Sequence, residues 1–217
     1  MSSLSLMFVG SVLLLNGLGL LGVVGPKATA PVNVFIGSAL VITVLSAVLS
    51  GPTSGSGQLD VVLGATGFLL FAFTYLYVAF NNFGSLPGNG LGWYCGWAAL
   101  VSVFLAVVNF VRFSDVKFGF IWLSWVILFS AFFFVLALGQ GWLQRPTGWL
   151  AVLQAVTTTT IPGALQLTGT WEEVNSTVVA TVQIVVIAVF LVLVARSKAT
   201  PPEPEMLRDT RDLELQR

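Results

Sequence analysis

The sequence predicts an all-α integral membrane protein with seven spanning helices, and three observations carry that prediction. Eight charged residues are spread over the first 195 positions, whereas ten are crowded into the last 22. The eight, Lys27, Asp60, Arg112, Asp115, Lys117, Arg145, Glu172 and Glu173, each fall at or beyond the end of an apolar run. Those runs are about 20 residues long, the length a helix needs to cross the hydrocarbon core. A charge at the centre of such a helix would cost roughly 2.5–3.5 kcal/mol on insertion. The composition agrees: 56% hydrophobic, 8% charged and a mean hydropathy of +0.94, against roughly a quarter charged in a soluble domain. The runs lack the period-two alternation of a membrane β-barrel.

Taken in order, the first helix is expected over residues 4–24, closed by Gly25-Pro26. It has no basic residues ahead of it, and its apolar run exceeds the roughly 7–15 residues of a cleaved signal core. Leu6, Val9 and Leu13 make one stripe along it, and Asn16 sits mid-span ahead of Gly17, Gly19 and Gly22. The second helix, 32–49, is stopped by Gly51-Pro52 and a Ser/Gly run to Gly57. The third, 59–80, places Phe73 and Tyr77 four apart on one face and ends in a Gly-rich turn around Pro87. In the fourth, 91–111, Gly92 and Gly96 form a small-residue pattern for close helix packing, as do Gly64 and Gly67 in the third.

A Ser114-Asp115 turn leads to the fifth helix, 118–138, where Trp122, Trp125 and Phe129 share a face. The sixth, 148–168, holds Gln154, the run Thr157 to Thr160, and Pro162, which marks a candidate break. The seventh, 177–195, contains no lysine, which excludes a retinal-type receptor. The tail, 196–217, is charged, mixed in sign and reads as disordered.

Loop charges predict the orientation. With the N-terminus outside, the cytoplasmic side holds Lys27, Arg145, Arg196 and Lys198, while the outside holds only Arg112 and Lys117, which flank Asp115. The chemistry is bounded as sharply. There is no histidine and a single cysteine, Cys95, so a multi-cysteine metal site, an internal disulfide and a Ser–His or Cys–His catalytic pair are all ruled out. No metal, cofactor or catalytic group is expected, and no basic footprint points to nucleic acid. What remains inside the spans is neutral polar and aromatic. A stripe of Trp and Phe reads either as ordinary core or as the lining of a narrow pore. Such a pore would pass a small, flat, neutral polar solute and reject hydrated ions.

Several motifs, in one order, resemble the bacterial AmiS/UreI family of amide and urea channels. They are Val9-Gly10 through Asn16-Gly17 to Pro26-Lys27-Ala28-Thr29-Ala30, then Asn33-Val34-Phe35 with Gly37, then Phe73-Thr74-Tyr75-Leu76-Tyr77 with Asn81. Trp93-Tyr94, Ile121-Trp122-Leu123-Ser124-Trp125, and Trp149-Leu150-Ala151 with Ile161-Pro162 follow. The resemblance implies a six-helix channel domain over residues 1–168, with 177–195 as an added transmembrane helix and 196–217 as a cytoplasmic tail. It implies a homohexamer in the inner membrane, each protomer with its own passive pore for urea or short aliphatic amides. It also implies a functional link to a cytoplasmic amidase or urease. The pore-lining positions it implies are Leu6, Val9, Leu13, Phe73, Tyr77, Trp122, Trp125, Leu128, Phe129 and Gln154.

The chain departs from acid-activated members of that family. It lacks their histidine-rich loop, carrying only a short 51–58 segment there, and Gln154 and Phe129 stand where they have a glutamate and a tryptophan. Acid gating through histidine is therefore not expected. The competing function is proton- or ion-coupled transport of the same solutes, which ordinarily needs intramembrane carboxylates or a broken helix.

Overall fold

The computed structural model describes residues 3–199. Among them run seven helices long and apolar enough to cross a bilayer: α1 (Ser3–Leu20), α2 (Pro26–Ser50), α3 (Gly55–Gly84), α4 (Asn89–Val111), α5 (Val116–Leu136), α6 (Gly141–Leu167) and α7 (Ser176–Ala199). The expected disordered tail lies outside the described residues from position 200 onward, and residues 196–199 continue α7.

Several helix boundaries differ from the sequence reading, among them the start of α6 at Gly141 and not 148, and three of the differences have a clear local reason. α1 stops at Leu20 because Gly22 takes a left-handed φ of 76°, and the Val23 N–H turns back to the Leu18 carbonyl at 2.9 Å. α2 begins at Pro26, not 32, because Pro26 occupies the first turn, where its missing N–H costs nothing. Pro31 inside α2 frees only the Lys27 carbonyl, close to the helix end. α3 begins at Gly55, which shrinks the expected 51–58 loop to four residues, 51–54. α5 starts where the turn chemistry placed it: the Asp115 carboxylate caps the helix by accepting from the Phe118 N–H at 2.9 Å.

α2 with α3 and α4 with α5 form long hairpins, α1 pairs with α6, and α7 packs on α5 and α6. The α1–α6 pair is drawn together by glycine. A Cβ on Gly163 would come within 2.8 Å of the Met7 backbone nitrogen, and one on Gly17 within 2.9 Å of the Gly148 carbonyl. Gly96 admits Phe133 of α5, and Gly92 admits Ala137 just past its end, in the same way. Gly64 has nothing within 4 Å, so only Gly67 of the third-helix pair serves packing.

Contacts between loops show which helix ends share a side. Gln144 Nε2 donates to the Leu20 carbonyl at 3.1 Å, and Lys198 sits over the Trp142 ring at 4.7 Å. At the other end Arg112 pairs with Asp60 at 2.6 Å and Lys117 with Glu172 at 3.2 Å. Among the described residues, one end therefore carries only Lys27, Arg145, Arg196 and Lys198, and the other carries both signs with acid in excess. We call them the basic end and the mixed end.

α6 is continuous but irregular. An α-helix over Gln144–Gln154 passes into a π turn, Ala155–Thr160, and back to α-helix over Ile161–Leu167. Four threonine hydroxyls stabilise the wide turn by donating to carbonyls one turn back: Thr157 to Leu153, Thr158 to Gln154, and Thr159 and Thr160 both to Ala155. Pro162, which lacks an N–H for a regular turn, follows directly. The candidate break at Pro162 is thus a π turn within one continuous span.

Candidate functional site: an aromatic waist between two cavities

The site begins with α5, whose Trp122, Trp125, Leu128 and Phe129 point inward and are 0–3% exposed. Gly67 of α3 makes room for them. The Trp122 indole lies on it so closely that a Cβ would come within 2.6 Å of the ring. Four residues on, Phe71 projects from the same α3 face and gathers the aromatic side chains around itself. Its ring centroid is 4.7 Å from Trp125 in a T-shaped contact, 5.5 Å from Phe129, 6.0 Å from Trp122 and 6.0 Å from Tyr75. Trp122 and Trp125 meet edge to face at 4.7 Å. Each such pair contributes about 0.5–1.5 kcal/mol beyond its buried area.

This cluster stands between two cavities. Toward the basic end lies one of about 280 Å³, walled by all of α1 to α6 and bounded at its inner side by Phe71, Leu128 and Phe129. Toward the mixed end lies one of about 300 Å³, whose inner wall is Trp122. Their polarity differs. The basic-end cavity is lined by neutral groups held in a network: Asn16 and Asn33 exchange hydrogen bonds at 2.9 and 2.7 Å, and Asn82 Nδ2 donates to Thr29 Oγ1 at 2.9 Å. Tyr75, also in its wall, buries a hydroxyl with no protein partner. The mixed-end cavity is rimmed by Asp60, Asn109 and Asp115.

Behind the waist, α6 supplies polar support. Trp125 Nε1 donates to Thr158 Oγ1 at 3.1 Å, and Thr158 Oγ1 donates to the Gln154 carbonyl at 2.6 Å. Gln154 is fully buried and its Nε2 donates to the Ser124 carbonyl at 3.0 Å. A carbonyl can only accept, so the amide is turned to leave Gln154 Oε1 unpartnered. No Asp, Glu, Lys or Arg is buried among the described residues, and no cluster of His, Cys, Asp or Glu could hold a metal there.

The family model for AmiS/UreI transporters matches residues 1–170. This chain belongs to the AmiS/UreI family. It is 36% identical over 205 residues to the AmiS2 protein of Rhodococcus erythropolis, named as a transporter, covering 94% of this chain and 98% of that one. It is 37% identical over 172 residues to a Mycolicibacterium smegmatis protein named as a transporter of amidate substrates, covering 79% of each. Its fold matches a cryo-electron microscopy structure of the Helicobacter pylori urea channel in the closed state, with a TM-score of 0.70 and 30% identity. That match covers 79% of this chain and all of the other. The chain is therefore a multi-pass membrane protein of a transport family, and not an enzyme.

Against the AmiS/UreI pore positions expected from sequence, the structure sorts the residues into three groups. Trp122, Leu128, Phe129 and Leu13 line one or other cavity. Trp125 belongs to the waist itself, Leu6, Val9 and Gln154 are buried, and none of these four lines either cavity. Phe73 and Tyr77 are placed elsewhere. Phe73 is 50% exposed on the outer surface, and Tyr77 packs against Tyr94 at 6.4 Å and against Gly90. Phe71 and Tyr75, two residues earlier, take the inner positions. A two-residue step turns a helix by about 200°, so the two equally spaced stripes face opposite ways. Gly67 was the available signal, since Gly67, Phe71 and Tyr75 recur every four residues and only this stripe begins with a packing glycine.

Proposed function

We propose that this protein is a passive inner-membrane channel for urea or short aliphatic amides, each protomer conducting through its own aromatic waist. The observation that carries this reading is the uncharged waist of Phe71, Trp122, Trp125 and Phe129 set between two cavities. A planar amide can slide over ring faces and exchange hydrogen bonds at the edges, with the Tyr75 hydroxyl and Gln154 Oε1 as unpartnered groups nearby. A hydrated ion would lose its water there with no charge to replace it. The absence of a buried carboxylate among the described residues favours passive conduction over coupling. The names of the relatives, a urea channel and a transporter of amidate substrates, support this solute class. A ring of six protomers belongs to the same reading, and native mass spectrometry of the detergent-extracted protein should give a sixfold mass.

Reconstitution in liposomes tests the function. Urea and acetamide should equilibrate far faster than across protein-free vesicles, without accumulation when a proton or sodium gradient is imposed. With no histidine in the chain, flux should vary by less than about twofold between pH 5 and pH 7.5. Uptake against a gradient would establish coupling instead, and a several-fold rise on acidification would move the sensor to the mixed-end carboxylates.

The basic end is placed in the cytoplasm. Because Cys95 is buried, a thiol introduced by Ala199→Cys can be read alone. It should resist a membrane-impermeant maleimide in intact cells and react after permeabilisation. Labelling in intact cells would reverse the topology.

A further inference from the structure

The seventh helix lies beyond the family model, which ends at residue 170. Its buried face is Val179, Gln183, Val186 and Phe190, and the middle of that apolar stripe is interrupted by an amide that is 3% exposed. An amide buried in a spanning helix is costly unless both its ends are bonded, and Gln183 satisfies both. Its Oε1 accepts from Ser124 Oγ of α5 at 2.8 Å, and its Nε2 reaches the Thr157 carbonyl of α6 at 3.4 Å. Thr157 sits in the π turn, and Ser124 lends its carbonyl to Gln154 Nε2. One side chain therefore ties together the two helices that carry Trp125 and Gln154. Both ends of α7 are anchored as well, through Lys198 over Trp142 and through Lys117, which donates to the Trp171 carbonyl at 2.8 Å just ahead of the helix.

Resting on the channel reading above, we propose that Gln183 is a positioning residue for the waist. It fixes Ser124 and the π turn so that the Gln154 amide keeps its free oxygen and the Trp125 indole its bond to Thr158. α7 is then part of what sets solute selectivity, and not only an added anchor in the bilayer. The solute itself does not touch Gln183, which lines neither cavity.

The test compares butyramide and urea flux in proteoliposomes, normalised to folded protein. Gln183→Met keeps the volume and removes both hydrogen bonds. Ser124→Ala breaks one of the same bonds from α5 and leaves α7 intact. Each should raise the butyramide-to-urea ratio by about three- to tenfold, the scale of one lost hydrogen bond. The double variant should shift it no further than Gln183→Met alone, because Ser124→Ala removes a bond that Gln183→Met has already removed. Val185→Ala, on the exposed face of α7, should leave the ratio unchanged. A ratio unmoved in Ser124→Ala overturns the proposal, even where Gln183→Met fails to fold. So does an additive shift in the double variant. A ratio unmoved in both singles while their melting temperatures fall makes α7 a brace alone. If the wild type conducts neither solute, this inference falls together with the channel reading. If it conducts and only the ratios stay fixed, the channel reading survives and this inference does not.

Discussion

Trp125→Ala is expected to open the waist and weaken the fold together. The side chain is fully buried, touches Phe71 and Trp122 at 4.7 Å each, and donates to Thr158. By analogy with soluble cores the truncation costs roughly 3–5 kcal/mol. The two aromatic contacts and the indole hydrogen bond disappear with it, and thermal unfolding in detergent should register the loss. The width of the slot should change too. Butyramide flux should rise relative to urea by on the order of tenfold, the low end of what one methylene is worth in a tight pocket. A large loss of stability at a constant flux ratio would make Trp125 a packing residue and remove it from the pore.

Gly163→Val should also disrupt the folded protein strongly. Gly163 faces the backbone of Met7, with Met7 N, Cα and Cβ all within 3.0 Å of where its own Cβ would stand. Backbone cannot rotate aside as a side chain can, so α1 and α6 must separate. The cost should sit at or above the top of the range for overpacked cores, about 3 kcal/mol. The yield of folded protein and its melting temperature should both fall sharply. Gly64→Ala, where nothing lies within 4 Å, provides the comparison and should be close to neutral. Equal behaviour of the two variants would contradict the close α1–α6 approach.

The spans were legible because the membrane imposes a simple rule: charge is expelled to the ends, and seven runs remain. The helix starts were less so. Gly, Pro and Ser at 25–31 and 51–58 look like loop, yet Pro26 is a helix opener and Gly55 begins α3. The sixth helix carried a visible warning in its four threonines and Pro162. Composition could not say whether the helix breaks or widens, since the threonine hydroxyls bond back to the carbonyls that the distortion exposes. The α5 half of the waist was readable because Trp122, Trp125 and Phe129 form one stripe in the middle of the span, with the other phenylalanines toward the helix ends. The α3 half was not, because two aromatic pairs with the same four-residue spacing, Phe71 with Tyr75 and Phe73 with Tyr77, compete for the inner face. Periodicity alone gives the stripes and not which of them turns inward. Gln183, a single amide in an apolar helix, says nothing in sequence until its partners on two other helices are known.

Whether solute passes through the waist that Phe71 centres is decided by one paired measurement. Butyramide and urea permeability should be measured by stopped-flow swelling of proteoliposomes carrying wild type, Phe71→Ala or Phe73→Ala, each normalised to folded protein. A route through the waist gives facilitated flux in the wild type, a raised butyramide-to-urea ratio in Phe71→Ala, and an unchanged ratio in Phe73→Ala, whose side chain is half exposed on the outside. A shift in Phe73→Ala with none in Phe71→Ala would contradict it and put the route on the other face of α3.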